Sequence, residues 1–264
     1  MARRKSSLPP ALWVPAGLAL GLLLLPLVAL IVRAPWAALP ALLAEPTVVQ
    51  ALALSLGTAA VATVVCLVLG IPLALVLARS AQWPAVPRRL LRALVTVPLV
   101  LPPVVGGVAL LLLLGRRGLI GQWLPFTIPF TPAAVVIAQV FVSMPFLVIA
   151  VEGALRASDR RFEVAAATLG ASRLTVLRRI TLPRVAPGIA SGALLCFTRS
   201  LGEFGATITF AGSFPGTTQT LPISTYLLLQ TDPNAAIALS LVLMVVSVVV
   251  LLSLRDRWVP GVLA

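Results

Sequence analysis

The sequence predicts an all-α membrane protein with six transmembrane helices, and three observations lead there. Sixty per cent of the 264 residues are Ala, Val, Ile, Leu, Met, Phe, Trp, Tyr or Cys and only 10% are charged. Soluble domains carry about 25% charged residues, so this chain cannot coat a water-facing surface of its own size. Six apolar stretches are each long enough to cross a hydrocarbon core of about 30 Å, which takes about 20 helical residues. Arginines then collect in alternate connections between those stretches. Backbone polar groups in lipid must bond internally, and the alternating pattern of a membrane β-barrel is absent, so the spans are helices.

The first stretch, residues 11–32, follows Arg3, Arg4 and Lys5. A secretory signal has that order too, but its apolar region is about 7–15 residues. This one has 22, which points to an uncleaved helix; cleavage would leave five spans. The second stretch is 47–78 and contains Pro72; the third, 93–114, contains Pro98, Pro102, Pro103, Gly106 and Gly107. The fourth is 132–151, with Pro145 inside, the fifth 187–211 and the sixth 235–254. The prolines and glycines read either as bending points or as irregular packing. Residues 1–46 then form a tail, first helix and external loop, 47–254 the main membrane domain, and 255–264 a short tail.

Basic residues orient the bundle. With the N-terminus in the cytoplasm, the inside carries Arg3, Arg4, Lys5, Arg79, Arg88, Arg89, Arg92, Arg156, Arg160, Arg161, Arg173, Arg178, Arg179, Arg184, Arg255 and Arg257. The outside holds Arg33, Arg116 and Arg117, and Arg199 lies within a span. Sixteen against three places both termini inside a plasma or inner membrane. The net charge of +13 is therefore a topology signal, and no nucleic-acid partner is expected.

Several chemistries are excluded. There is no histidine, the commonest general base and metal ligand. Cys66 and Cys196 lie in apolar runs and form no metal pattern. The single lysine, Lys5, follows no phosphate-cradling glycine loop. No cofactor, metal or ATP hydrolysis is expected of this chain.

The long polar stretch lies between spans four and five. It carries Glu152, Asp159, Glu163 and seven arginines. Residues 160–169 read as a short helix closed by Gly170. Ser172 can cap a second helix over 173–180, ending before Pro183. Such a knob can receive another protein against its small residues Ala165, Ala166, Ala167 and Gly170, or lie on anionic lipid headgroups.

Glu163-Val164-Ala165-Ala166-Ala167-Thr168-Leu169-Gly170, nine residues, then Ile180-Thr181-Leu182-Pro183 resembles the E-A-A-x-x-x-G-x9-I-x-L-P loop of binding-protein-dependent ABC importer permeases. The glutamate stands one position earlier than in that pattern, a form similar to the oxyanion-importer branch. Pro98 to Gly107 is similar to a third-helix signature of molybdate and sulfate permeases. Leu201-Gly202-Glu203-Phe204-Gly205-Ala206-Thr207, with Pro215-Gly216-Thr217-Thr218-Gln219-Thr220-Leu221-Pro222, looks like the molybdate branch; sulfate permeases share its L-G-E-[FY]-G core. The resemblance implies a type-1 ABC importer permease fold with a coupling helix in loop 152–186. It implies coupling to an ATPase through Glu163, Ala165, Ala166, Gly170, Ile180, Leu182 and Pro183. The implied partners are two ATPase copies, an external molybdate-binding protein, a second copy of the chain, and lipid.

The fifth span carries the remaining candidates. Counted from Pro187, Arg199 lies about 18 Å in, near the midplane. An ion there usually faces a polar path or a partner. Glu203 follows at i+4 and Thr207 at i+8, with Thr198 and Ser200 alongside. Arg199, Ser200, Glu203 and Thr207 either line a translocation path, or Arg199 and Glu203 simply neutralise each other. Gly188 and Gly192, then Gly202 and Gly205, are spaced for close helix packing, which a twofold subunit interface would also need. The loops 115–131 and 212–234 carry few charges, and the resemblance, not this composition, implies that they meet the binding protein.

The expected function is thus the membrane subunit of an ATP-driven molybdate importer. Sulfate or tungstate as cargo, an ion-coupled transporter or channel, and an intramembrane enzyme are the alternatives. An ion-coupled machine calls for several buried ionisable groups, and here only Arg199 and Glu203 qualify.

Overall fold

The computed structural model describes residues 10–258. Arg3, Arg4, Lys5 and residues 259–264 lie outside the described residues. The helices are α1 (Trp13–Val32), α2 (Leu39–Ala44), α3 (Pro46–Arg79), α4 (Ala85–Val100), α5 (Pro103–Leu114), α6 (Pro132–Ala157), α7 (Arg161–Thr168), α8 (Arg173–Val176), α9 (Leu182–Leu201), α10 (Gly205–Phe210), α11 (Leu221–Thr231) and α12 (Pro233–Trp258). Among the described residues, five stretches are long and apolar enough to cross a membrane, and the bent pair α4–α5 counted as one span makes six.

At the centre is α6, which packs against α3 and α9. Thr131 caps its start by accepting the Ala134 N–H at 3.3 Å, and Pro132 fits the first turn because no N–H is needed there. Toward the arginine-rich end, Leu147, Val148 and Val151 of α6 bury with Cys66, Ala74 and Leu77 of α3 and Cys196 of α9. Toward the opposite end, Ala134, Val135, Ala138 and Val142 bury with Leu110 of α5 and Ala206, Phe210 and Ala211 around α10. By contrast, α1 lies at the margin, with none of its residues buried.

Three expectations need correction. The third span is not one helix: α4 and α5 meet at 114°. Pro102 forces Leu101 out of the helical region (φ −66°, ψ 133°), and neither Pro102 nor Pro103 can donate a helical hydrogen bond. The helix begun by Ser172 does not stop before Pro183. A π-turn over Leu177–Thr181 leads into α9, giving a continuous run Arg173–Leu201 of 29 residues. Proline would clash with the carbonyl four residues back, and the wider turn absorbs it.

The third correction concerns 212–234, expected as an open external loop. It contains α11, which returns into the bundle against α12 and α3. Leu221 and Ile223 are fully buried, and the Leu221 N–H donates to Ser55 Oγ of α3 at 2.7 Å. With 11 residues, α11 is too short to cross a bilayer, so no length criterion finds it.

Candidate functional site: a lever from knob to helix break

The knob at the arginine-rich end is built locally. Asp159 Oδ1 accepts the Arg161 N–H at 2.9 Å and opens α7. At the other end Gly170 takes φ +82°. The Ala171 N–H reaches Ala166 O and the Gly170 N–H reaches Ala167 O, both at 3.0 Å. That pair of bonds is the Schellman arrangement, in which the left-handed position suits glycine. Nothing lies within 4 Å of where a Gly170 Cβ would stand, so only conformation selects glycine inside this chain. Ser172 Oγ accepts the Thr175 N–H at 3.2 Å and starts α8.

No residue of α7 is buried. Ala165 is exposed and Ala166 half-buried. Around them Val164, Leu174 and above all Leu169, at 88% exposure, present apolar surface.

Two side-chain contacts fasten this knob to the root of α9. The Thr181 hydroxyl donates to Glu163 Oε1 at 2.7 Å, and the Arg184 guanidinium lies 3.9 Å from the Phe162 ring centre. Ile180 and Leu182 are half-buried around Thr181, and Pro183 is exposed. Thr181, 3% exposed, was missed by the sequence reading, although it stands inside the Ile180–Pro183 motif. Glu152 was missed as well. It is buried and holds Arg156 at 2.8 Å on its own helix and Arg92 of α4. This ties the bent pair to the bundle's centre.

At the far end of the run the geometry departs from the expected stripe. Helix α9 ends at Leu201, and the chain breaks over Gly202–Phe204 before α10. Arg199 lies about 25 Å along the axis from Leu182. The i+4 pairing survives the break: Arg199 Nη1 is 2.7 Å from Glu203 Oε2. Glu203 Oε1 also accepts the Ala206 N–H at 2.8 Å, capping α10. Glu203 is 1% exposed, while the Arg199 side chain keeps 28% of its surface open.

Thr207 does not continue the stripe. It belongs to α10, is fully buried, and its hydroxyl has no partner among the described residues. Ser200 points into the bundle, donating to Ser143 Oγ of α6 at 2.9 Å. Ser143 in turn donates to Gln139 O, and Gln139 Nε2 to Thr58 Oγ1 of α3 at 3.2 Å. A polar thread thus joins α9, α6 and α3 in the core, where unpaired groups are costly.

The glycines divide. A Cβ on Gly188 would overlap Ala154 Cβ, and one on Gly192 would lie 3.1 Å from Ala150 Cβ. Both therefore face α6 of the same chain instead of a subunit interface. Gly205 meets Pro103 and Val104 of α5, whereas Gly202 faces no other helix within 4 Å.

Residues 70–260 match the family described as "Binding-protein-dependent transport system inner membrane component". The chain is 52% identical over 255 residues to the molybdenum transport system permease protein of Mycobacterium tuberculosis, covering 96% of each chain. To the corresponding Escherichia coli K12 protein it is 41% identical, covering 81% of this chain and 93% of that one. A sulfate transport system permease of Salmonella typhimurium is 36% identical, with coverages of 89% and 86%. Among solved structures, a chain of a bacterial alginate ABC transporter crystallised with its alginate-bound periplasmic protein has a TM-score of 0.71 at 18% identity. That match covers 93% of this chain and 91% of the other, and at this identity it speaks for the fold alone. Long apolar helices, a projecting short-helix knob and this family match agree, and the chain belongs to the binding-protein-dependent transport system inner membrane component family.

Proposed function

We propose that this chain is the membrane subunit of an ATP-driven molybdate importer. It works as a homodimer with two copies of a cytoplasmic ATPase, and an external anion-binding protein supplies the cargo. Both termini face the cytoplasm, lipid covers the outer helices, and ATP is hydrolysed by the partner, not by this chain.

The observation that carries this reading is the continuous helical run Arg173–Leu201. It starts beside the exposed α7 knob, which is tied to it by Glu163–Thr181 and Phe162–Arg184, and ends at the Arg199–Glu203 pair. A displacement of α7 by an ATPase is passed through those two contacts to a nearly rigid rod. The rod's far end then shifts relative to α5 and α10, which are packed through Gly107 and Gly205. Rigid-body tilting of this kind is a common switching motion.

The cargo reading follows from charge. An isolated charge costs tens of kcal/mol in a low-dielectric medium by Born reasoning, so an oxyanion dianion needs a wall that offsets its charge without trapping it. Arg199, partly open and already balanced by buried Glu203, supplies attraction in that measured form. Ser200, bonded to Ser143, and Thr207 lie buried within the bundle. The 52% identity to a molybdenum permease favours molybdate, while the sulfate relative favours sulfate as the second reading.

The test is uptake into proteoliposomes. Molybdate should enter only when the ATPase, the binding protein and ATP are all present, and excess sulfate should compete poorly. Full-rate oxyanion flux through the purified chain alone would overturn the reading.

A further inference from the structure

Behind the knob lies a cavity of about 230 Å³, bounded by the ends of α3 and α6, the start of α7 and the π-turn. A water molecule takes about 30 Å³, so a small hydrated anion fits. Three arginines from three separate elements line it: Arg79 closing α3, Arg156 in the last turn of α6, and Arg160 just before α7. Arg156 is engaged by Glu152. Arg79 and Arg160 have no carboxylate partner among the described residues. Glu163 is the one acid in the lining; its Oε1 accepts from the Thr181 hydroxyl and it keeps its charge, so the two guanidiniums of Arg79 and Arg160 stand against one carboxylate and the lining is net positive. The remaining lining, including Leu75, Ala78 and Leu155, is apolar, while Arg79, Arg156 and Arg160 are exposed and the pocket is open to the arginine-rich side.

We propose that this cavity is an anion-binding site for a tetrahedral oxyanion group, held by Arg79 and Arg160. The group is either a free oxyanion or the phosphate of an anionic lipid, since guanidinium forks serve both equally. Arg160 adjoins α7, and Glu163 and Thr181, the clamp between knob and rod, form part of the wall. A bound anion bridging Arg79 and Arg160 therefore fixes the knob against α3. On the transport reading above, occupancy stiffens the lever and reports the anion content of the arginine-rich side. The binding itself does not depend on that reading.

The experiment uses the full chain in nanodiscs. In phosphatidylcholine discs, inorganic phosphate and molybdate are titrated by calorimetry. In discs doped with phosphatidylglycerol, retained lipid is counted by native mass spectrometry. Wild type, R79Q/R160Q, R79K/R160K and, as a charge-loss control at the opposite end, R33Q are compared. Losing charge-assisted bonds weakens binding about tenfold or more. Saturable binding of free anion that is lost in R79Q/R160Q, retained in weakened form in R79K/R160K and unchanged in R33Q assigns a free-ion site. The same pattern with retained phosphatidylglycerol assigns a headgroup site. Binding in neither arm, or binding indifferent to R79Q/R160Q, overturns the proposal. If the double variant does not fold, hydrogen exchange on the wild type decides: anion must raise protection over 161–168, and unchanged exchange counts against the site. A transport defect with intact anion binding would instead bear on the importer reading.

Discussion

The Thr181 hydroxyl donates to Glu163 Oε1 across 2.7 Å, joining the exposed helix α7 to the π-turn at the root of α9. Together with the Arg184–Phe162 stack, it is the side-chain fastening between knob and rod. A hydrogen bond to a charged group contributes about 1.5–3 kcal/mol, and partial exposure of Glu163 puts this one at the low end. Thr181→Val should therefore leave the bundle folded and the ATPase bound, while ATP-driven uptake falls several-fold. Glu163→Gln keeps an acceptor oxygen and should fall less than Glu163→Ala. Uptake set against ATPase co-purification checks this, and parallel loss of both would show that the clamp serves docking instead.

At Gly170, φ of +82° and empty space beside the missing Cβ separate two effects. A left-handed conformation costs an ordinary residue about 1–2 kcal/mol, less for Asn. Gly170→Asn should therefore leave membrane insertion and thermal stability nearly unchanged. Gly170→Asp adds a charge where a partner surface would approach and should abolish ATPase association with insertion normal. Pull-down of the ATPase on the three chains, glycine, Asn and Asp, measures the difference; capture of the ATPase by Gly170→Asp would remove the knob from the docking role.

What the residues disclosed, and what they withheld, follows from range. Spans are legible because apolarity adds up along a stretch whatever it packs against. The knob was legible because caps are local: Gly170 closes α7 and Ser172 opens α8 through bonds within a few residues. The break after Leu201 was not. An unbroken stripe from Arg199 to Thr207 satisfies periodicity, whereas in the fold Glu203 caps α10 and α10 packs on α5, and the helix ends and restarts between them. Helix α11 was invisible for a different reason: it is held by burying Leu221 against α3 and α12 and Ile223 in the interior, not by its own length. Arg92, which pairs with Glu152, and Ser200, which donates to Ser143, lie dozens of residues away in sequence, and no pattern within α6 points to them.

The Arg199–Glu203 pair predicts a non-additive cycle. Removing one partner of a buried ion pair costs about 3–5 kcal/mol because the other is left uncompensated. Partial exposure of Arg199 (28%) places the cost toward the lower figure. Arg199→Ala strands Glu203 and should lower the unfolding temperature more than Arg199→Ala/Glu203→Gln does. The double variant keeps an oxygen for the Ala206 N–H and removes the charge. Thermal unfolding of detergent-purified protein resolves the cycle; a double variant less stable than Arg199→Ala would mean that the Glu203 charge matters chiefly for capping α10. Arg199→Ala should also impair uptake in its folded fraction, the readout specific to the path.

Gly188 offers a compensating pair. A Cβ there overlaps Ala154 Cβ on α6, and one turn on a Cβ at Gly192 would stand 3.1 Å from Ala150 Cβ, a close but looser approach. Helix association in lipid depends on such backbone approach, and overpacking a tight contact costs about 1–3 kcal/mol. Gly188→Ala alone should push α9 away from α6 and lower the unfolding temperature by several degrees. Adding Ala154→Gly returns the volume to the other side of the same contact, so the double variant should regain most of the loss. Gly202→Ala is the control: no neighbouring helix stands within 4 Å of its Cβ position, and its effect should be small. If Ala154→Gly fails to restore Gly188→Ala, the damage lies elsewhere than in the α6–α9 contact. A defect that instead followed dimer content by crosslinking would return Gly188 to the subunit interface.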